Sequence, residues 1–111
     1  MPNLGKDIQK ALDGLDDQVV SIVGDFVKRR KAHYEQAAKS LHDNLKKDGR
    51  RYAEMLSDKK ISNEDFEFLL RGRAAQLKIE LLSEISVSKA KFEDIAGAIL
   101  KLTIKTLLAV I

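Results

Sequence analysis

The sequence predicts an all-α fold, and three observations carry that prediction. The one proline is Pro2, so no helix interior contains a ring that lacks an N–H. Lys, Glu, Leu and Ala are plentiful and β-branched residues seldom run together, which favours helix. Apolar residues recur three and four apart along most of the chain, the spacing of one helix face. With 111 residues the chain is long enough for one domain, 1–111, with its own core.

Residues 1–5 read as an entry segment. Asn3 is placed to cap a helix starting near Leu4, and Asp7 lies in the first turns, where a negative charge suits the helix dipole. Ile8, Leu12, Leu15, Val19, Ile22 and Phe26 then repeat at heptad-like spacing. Gly14 and Gly24 sit inside this stripe without a proline after them, so the helix is expected to continue through both. Residues 28–36, KRRKAHYEQ, are a polar gap. The pattern resumes at Ala37 or Ala38, Leu41, Leu45, Tyr52 and Leu56, with Asp48–Gly49 as a weak point, because such a pair favours turns.

Ser57 to Asn63 is the clearest punctuation. Ser62 is a good N-cap, Asp65 occupies the capping-box position, and Ile61 and Phe66 stand where a hydrophobic staple forms. Beyond it Phe66, Leu69, Leu70, Leu77, Leu81, Ile85, Phe92, Ile95, Ile99 and Leu102 form a second stripe. Ser86 to Ser88 interrupt it, as either a short loop with Ser88 as the next cap or a polar gap in a helix. The end of the chain is the most apolar part, with Leu100, Ile104, Leu107, Leu108 and Ile111 widening the face well beyond a narrow seam.

The two halves correspond. If the chain folds back near residue 60, residue i lies near residue 120 minus i. Ile8–Phe26 then faces Ile95–Ile111, the polar gap at 28–36 faces 84–92, and Leu41–Leu56 faces Glu64–Ile79. This predicts a long antiparallel helical hairpin with arms at about 4–57 and 63–111. Two helices cannot cover the broad face of 95–111, so the hairpin is expected to self-associate into a helical bundle. The alternative is a compact monomeric four-helix bundle, with breaks near Gly24 or Arg30, near 57–62 and near 86–88.

Composition narrows the function classes. The chain has no cysteine, so neither a disulfide nor a thiolate site is available, and the cytoplasm is the expected location. The N-terminus mixes acids and bases with no apolar run and does not read as a signal peptide. From Ile95 the apolar segment offers 17 residues, two of them lysines, short of the about 20 apolar residues a membrane span needs. His33 and His42 are the only histidines and read as surface residues, since a structural zinc takes about four ligands. Glu64, Asp65 and Glu67 cluster where a helix start favours acids, not beside a nucleophile. Arg71–Gly72–Arg73 lies within a helical pattern and is no phosphate loop. No cofactor, metal or catalytic residue is expected.

The net charge of +3 is unevenly spread. Residues 1–27 hold two bases and five acids, while 28–60 hold eleven bases and five acids. Lys28, Arg29, Arg30 and Lys31, with Arg50 and Arg51, are the candidates for anion contact. Interspersed acids and a shortage of nearby aromatics weigh against nucleic acid and leave its binding through the basic region 28–51 as a weaker alternative. The expected function is a non-enzymatic helical interaction protein. Its seam would be Phe92, Ile95, Ile99, Leu102 and Leu107, with Ile8, Leu15 and Ile22 opposite, binding a second copy or another helical protein. The alternative is a peripheral or pore-forming protein that inserts the amphipathic helix 92–111 into a membrane surface, with Lys101 and Lys105 at the headgroups.

Overall fold

The computed structural model describes residues 4–84 and 88–111. Five helical segments follow in order: α1 (Leu4–Asp13), α2 (Asp16–Phe26), α3 (Lys31–Ser57), α4 (Asn63–Glu84) and α5 (Lys89–Val110). α1 and α2 are one arm with a step at Gly14–Leu15, where the Leu15 N–H reaches back to the Leu12 carbonyl at 3.1 Å, a 3₁₀-type bond. The molecule is an all-α bundle measuring 46 × 23 × 18 Å.

Of the two arrangements open to the sequence, the chain takes the compact one. The stretch 4–57 is not a single arm, because the polar gap at 28–36 contains a chain reversal. Val27 is extended, Arg30 adopts left-handed backbone at φ 56°, and α3 starts only at Lys31. α2 therefore packs against α3 instead of continuing into it. The pairing of residue i with residue 120 minus i survives nonetheless. The Ser88 N–H donates to the Tyr34 hydroxyl at 3.0 Å, and Arg73 meets Asp48 at 2.6 Å. Ile22 shares a groove with Ala98 and Leu102, and Lys10 shares one with Val110. The hairpin is thus doubled over, and its two halves supply the four layers of the bundle.

α3 and α5 lie at the centre, each in contact with both the N-terminal arm and α4. This gives the broad apolar face of α5 its cover. Phe92, Ile95, Ala96, Ile99, Thr103, Ile104 and Leu107 are buried, and Leu100, Leu102 and Leu108 are partly so. The Thr103 hydroxyl is satisfied by the Ile99 carbonyl at 2.8 Å. On the N-terminal arm Ile8, Leu12, Leu15 and Val19 are buried as the heptad spacing requires. The stripe then moves to Val23 and Val27, leaving Ile22 partly buried and Phe26 43% exposed. A straight helix of 3.6 residues per turn drifts off a 3.5-residue repeat, so the inward position advances by one.

The punctuation between α3 and α4 forms as its residues dictate. Ser62 and Asp65 bond reciprocally, Ser62 Oγ accepting from the Asp65 N–H at 3.1 Å and Asp65 accepting from the Ser62 N–H at 3.2 Å. Phe66 is buried and Ile61 packs on the core, completing the staple. α3 ends with the Lys60 N–H on the Met55 carbonyl and the Lys59 N–H on the Leu56 carbonyl, with Lys59 left-handed at φ 61°. This is a Schellman closure with lysine where glycine is usual. The alternatives for Ser86–Ser88 fall mostly on 85–87, outside the described residues, as does the cap expected at Asn3. Ser88 itself is extended and precedes α5.

Asp48–Gly49 does not break α3. Gly49 is buried where α3, α4 and α5 meet, and a Cβ there would stand 3.2 Å from Leu107 Cδ1 and 3.7 Å from Leu70 Cδ2. The residue marks a close approach, not a turn. Gly49→Leu should therefore cost about 1–3 kcal/mol by overpacking, although leucine is the better helix former. Chemical denaturation measures this, and an unchanged or raised stability would contradict the placement.

Candidate interaction face

α4 buries Phe66, Leu70, Ala74, Leu77 and Leu81 against α3 and α5. The same helix carries a second stripe, Phe68, Gly72, Ala75, Ile79 and Leu82, at spacings of 4-3-4-3. At 3.6 residues per turn the two stripes are centred about 180° apart. The second stripe therefore points away from the bundle. Phe68 is 76% and Ile79 68% exposed, Gly72 and Ala75 are exposed, and only Leu82 is partly covered. A Cβ added at Gly72 would meet nothing within 4 Å, so no packing inside the chain requires a glycine there. Shallow grooves flank this ridge. One, beside α3, is lined by Tyr52, Leu69, Arg73 and Gln76. The other, beside α5, is lined by Lys78, Glu93, Gly97 and Leu100. Lys78 reaches Glu93 at 3.8 Å across the second.

The expected seam lies elsewhere. Ile8, Leu15, Phe92, Ile95, Ile99 and Leu107 are buried, and Ile22 and Leu102 partly buried, all within the core of one chain. The N-terminal arm does oppose α5 as expected, and the contact is internal, with only Ile22 and Leu102 of the seam partly open along a surface groove. The outer stripe of α4 was legible in the sequence as a heptad and was masked by the stronger stripe through Phe66, Leu70 and Leu77.

The basic candidates do not form one patch. Lys28, Arg29, Arg30 and Lys31 occupy the α2–α3 turn, and Arg50 and Arg51 lie about 30 Å further along α3 at 1.5 Å per residue. Arg50 is committed to Glu54 at 3.5 Å and Gln9 at 3.3 Å. Arg51 is committed to Asp48 at 3.5 Å and to the face of Tyr52 at 5.1 Å.

His42 corrects the expectation of a surface residue. It is 2% exposed, in register with Ala38, Leu45 and Gly49 on the inner face of α3, a position the 4-3-4 spacing already marks. Its Nε2 lies 2.9 Å from Asp16 Oδ1. A carboxylate can only accept, so Nε2 donates. Lys46 Nζ joins the same oxygen at 3.0 Å and Asp13 Oδ1 at 3.1 Å. The cluster ties the α1–α2 step onto α3. Beside it lies a hollow of about 310 Å³ lined by Asp16, Asp17, Val20, Lys39, His42 and Asp43. Among the described residues no group of three or more His, Cys, Asp or Glu is placed to hold a metal ion, and no helix is long and apolar enough to cross a membrane. Glu64, Asp65 and Glu67 lie in the first turns of α4, where Ser62 caps the helix and Asp65 closes the box by accepting from the Ser62 N–H.

The cluster sets a pH dependence. The Asp16 carboxyl is held below its ordinary 3.8, chiefly by the hydrogen bond from Lys46, with burial opposing. Burial draws the Lys46 ammonium down, but Asp16 and Asp13 together hold it above its ordinary 10.5. A carboxyl lowered on folding stabilises above its unfolded value, and that contribution is lost as pH falls through the folded value. A raised ammonium stabilises below 10.5 and is lost as pH rises past its folded value. Thermal melts of Asp16→Asn should therefore lose less stability than the parent between pH 5 and pH 2. Equal acid sensitivity in the two proteins would contradict the cluster's role.

Compared with known proteins, the chain matches no family model, no curated protein and no solved structure.

Proposed function

We propose that this chain is a non-enzymatic helical assembly protein whose copies join through the outer face of α4. One observation carries the reading: a heptad stripe of exposed apolar residues, Phe68 and Ile79 foremost, on the face of α4 opposite its buried one. Burying an aromatic and an aliphatic side chain of this exposure is worth about 1.5–3 kcal/mol each. A glycine in mid-helix costs about 1 kcal/mol relative to alanine. That cost is offset if a second helix passes close at Gly72.

The pattern favours a second copy as the occupant. Crossing helices are nearest at one point and diverge from it, so small residues suit the crossing and large ones fill the gaps to either side. Phe68–Gly72–Ala75–Ile79 is large, small, small, large, and reads alike in both directions. An antiparallel copy with its Ala75 against Gly72 brings its Ile79 to Phe68, the self-complementary match that a two-fold interface needs. The flanking grooves widen the contact toward the roughly 600 Å² per partner at the lower end of specific interfaces. Insertion of residues 92–111 into a membrane would instead empty the core of Phe92, Ile95, Ile99 and Leu107. The cytoplasm remains the proposed location, supported by the absence of cysteine.

Sedimentation equilibrium from micromolar to millimolar concentration tests the reading. The mass should rise from 12.5 kDa toward twice that value. Phe68→Glu with Ile79→Glu should hold it at the chain mass without loss of helicity. Gly72→Leu should raise the melting temperature of the dilute monomer and abolish association. A monomer at every concentration, or a dimer indifferent to these changes, would refute the proposal.

A further inference from the structure

The α2–α3 turn carries four consecutive basic residues, all exposed. The fold adds two more that are far away in sequence. The Tyr34–Ser88 hydrogen bond holds the start of α5 against the start of α3, and so brings Lys89 and Lys91 to the same end of the bundle. Elsewhere several bases are spent on acids, Lys46 on Asp13 and Asp16, Arg73 on Asp48 and Arg50 on Glu54, and the exposed bases without an ion pair are scattered, not gathered at one end. At this end only Lys31 is paired, weakly, to Glu35 at 3.9 Å. Among the described residues Lys28, Arg29, Arg30, Lys89 and Lys91 form no ion pair. The nearest other acid on α2 is Asp25. α3 and α5 both start here without an acid in the first turn, while α2 and α4 end here, so the helix dipoles roughly offset one another and the charge of this end is set by its side chains. Phe26, the last residue of α2, is exposed beside the bases.

We propose that this end of the bundle, Lys28–Lys31 with Lys89, Lys91 and Phe26, docks on an anionic lipid surface. The site is the narrow tip of a molecule 46 Å long and 23 × 18 Å across, a shape that meets a plane end-on. A cluster of four to eight basic residues with an apolar side chain among them is the pattern that holds a protein to acidic headgroups. A nucleic acid would be tracked by a stripe of bases with stacking aromatics. Between the tip and the paired Arg50 and Arg51, about 30 Å away, α3 exposes only Lys39 and Lys47 as unpaired bases, interleaved with Glu35 and Asp43 and with no aromatic beside them, so no continuous stripe runs from the tip. The tip is at the end of the bundle, and the outer stripe of α4 runs along its side, so both surfaces can be occupied at once.

Co-sedimentation of the full chain with phosphatidylcholine vesicles, with and without phosphatidylserine, tests the proposal. Binding should require phosphatidylserine and weaken steeply with salt. Arg29→Ala with Lys89→Ala should reduce it about thirtyfold. Phe26→Ser should weaken it too, while Arg50→Ala with Arg51→Ala should leave it unchanged. Circular dichroism confirms that each variant is folded. Three results would overturn the proposal: no binding to phosphatidylserine vesicles, an equal loss with the Arg50 and Arg51 pair, or insensitivity to Phe26→Ser together with tighter binding to a duplex oligonucleotide.

Discussion

The constraint on which the rest of the structure depends is the width of the apolar face of α5. Phe92, Ile95, Ile99, Ile104 and Leu107 all require cover, and they span more of the helix circumference than one neighbour can reach. The chain meets this by placing α5 at the centre beside α3, with the N-terminal arm on one side and α4 on the other. The reversal at 27–30 follows from that requirement. Without it α2 would continue away along the axis of α3, and half of α5 would face water. The left-handed backbone at Arg30, unusual for a residue with a Cβ, is a local cost of roughly 1–2 kcal/mol set against the burial of an entire helix face.

Much of this arrangement was legible in the residues. The pairing of i with 120 minus i holds at Tyr34 with Ser88, at Asp48 with Arg73 and at Ile22 with Ala98. The box and staple at Ile61–Phe66 form because their chemistry is local. What the residues leave open is whether KRRK holds a turn: a break near Gly24 or Arg30 is one of two readings, since lysine and arginine are acceptable in a helix and no glycine or proline stands at the reversal itself. Like-facing-like patterning is also the same for one doubled hairpin and for two hairpins side by side. Periodicity reports which faces are buried, not which molecule buries them.

The polar core was hidden for a different reason. His42, Asp16 and Lys46 are separated by up to 30 residues and mean nothing together until α2 folds onto α3. Once they meet, Asp16 accepts a hydrogen bond from Nε2 of the buried imidazole and Lys46 offsets the carboxylate's charge, while Nδ1 stays buried without a hydrogen-bond partner. Two glycines that look alike in sequence also part company in the fold. Gly49 is needed where three helices converge, whereas Gly72 stands in open space on the outer face of α4. Along α4 the inner and outer faces are both apolar, so the helix serves the core and still presents a surface.

The central claim is that one chain covers α5 by itself. Amide hydrogen exchange resolved by residue, followed through a dilution series, tests it most directly. The account predicts that amides from Ile95 to Leu107 keep protection close to that of global unfolding at every concentration, including those at which the protein is a single chain. Protection of these amides that falls away on dilution, while the rest of the chain stays helical, would mean that a second molecule covers α5, and would contradict it.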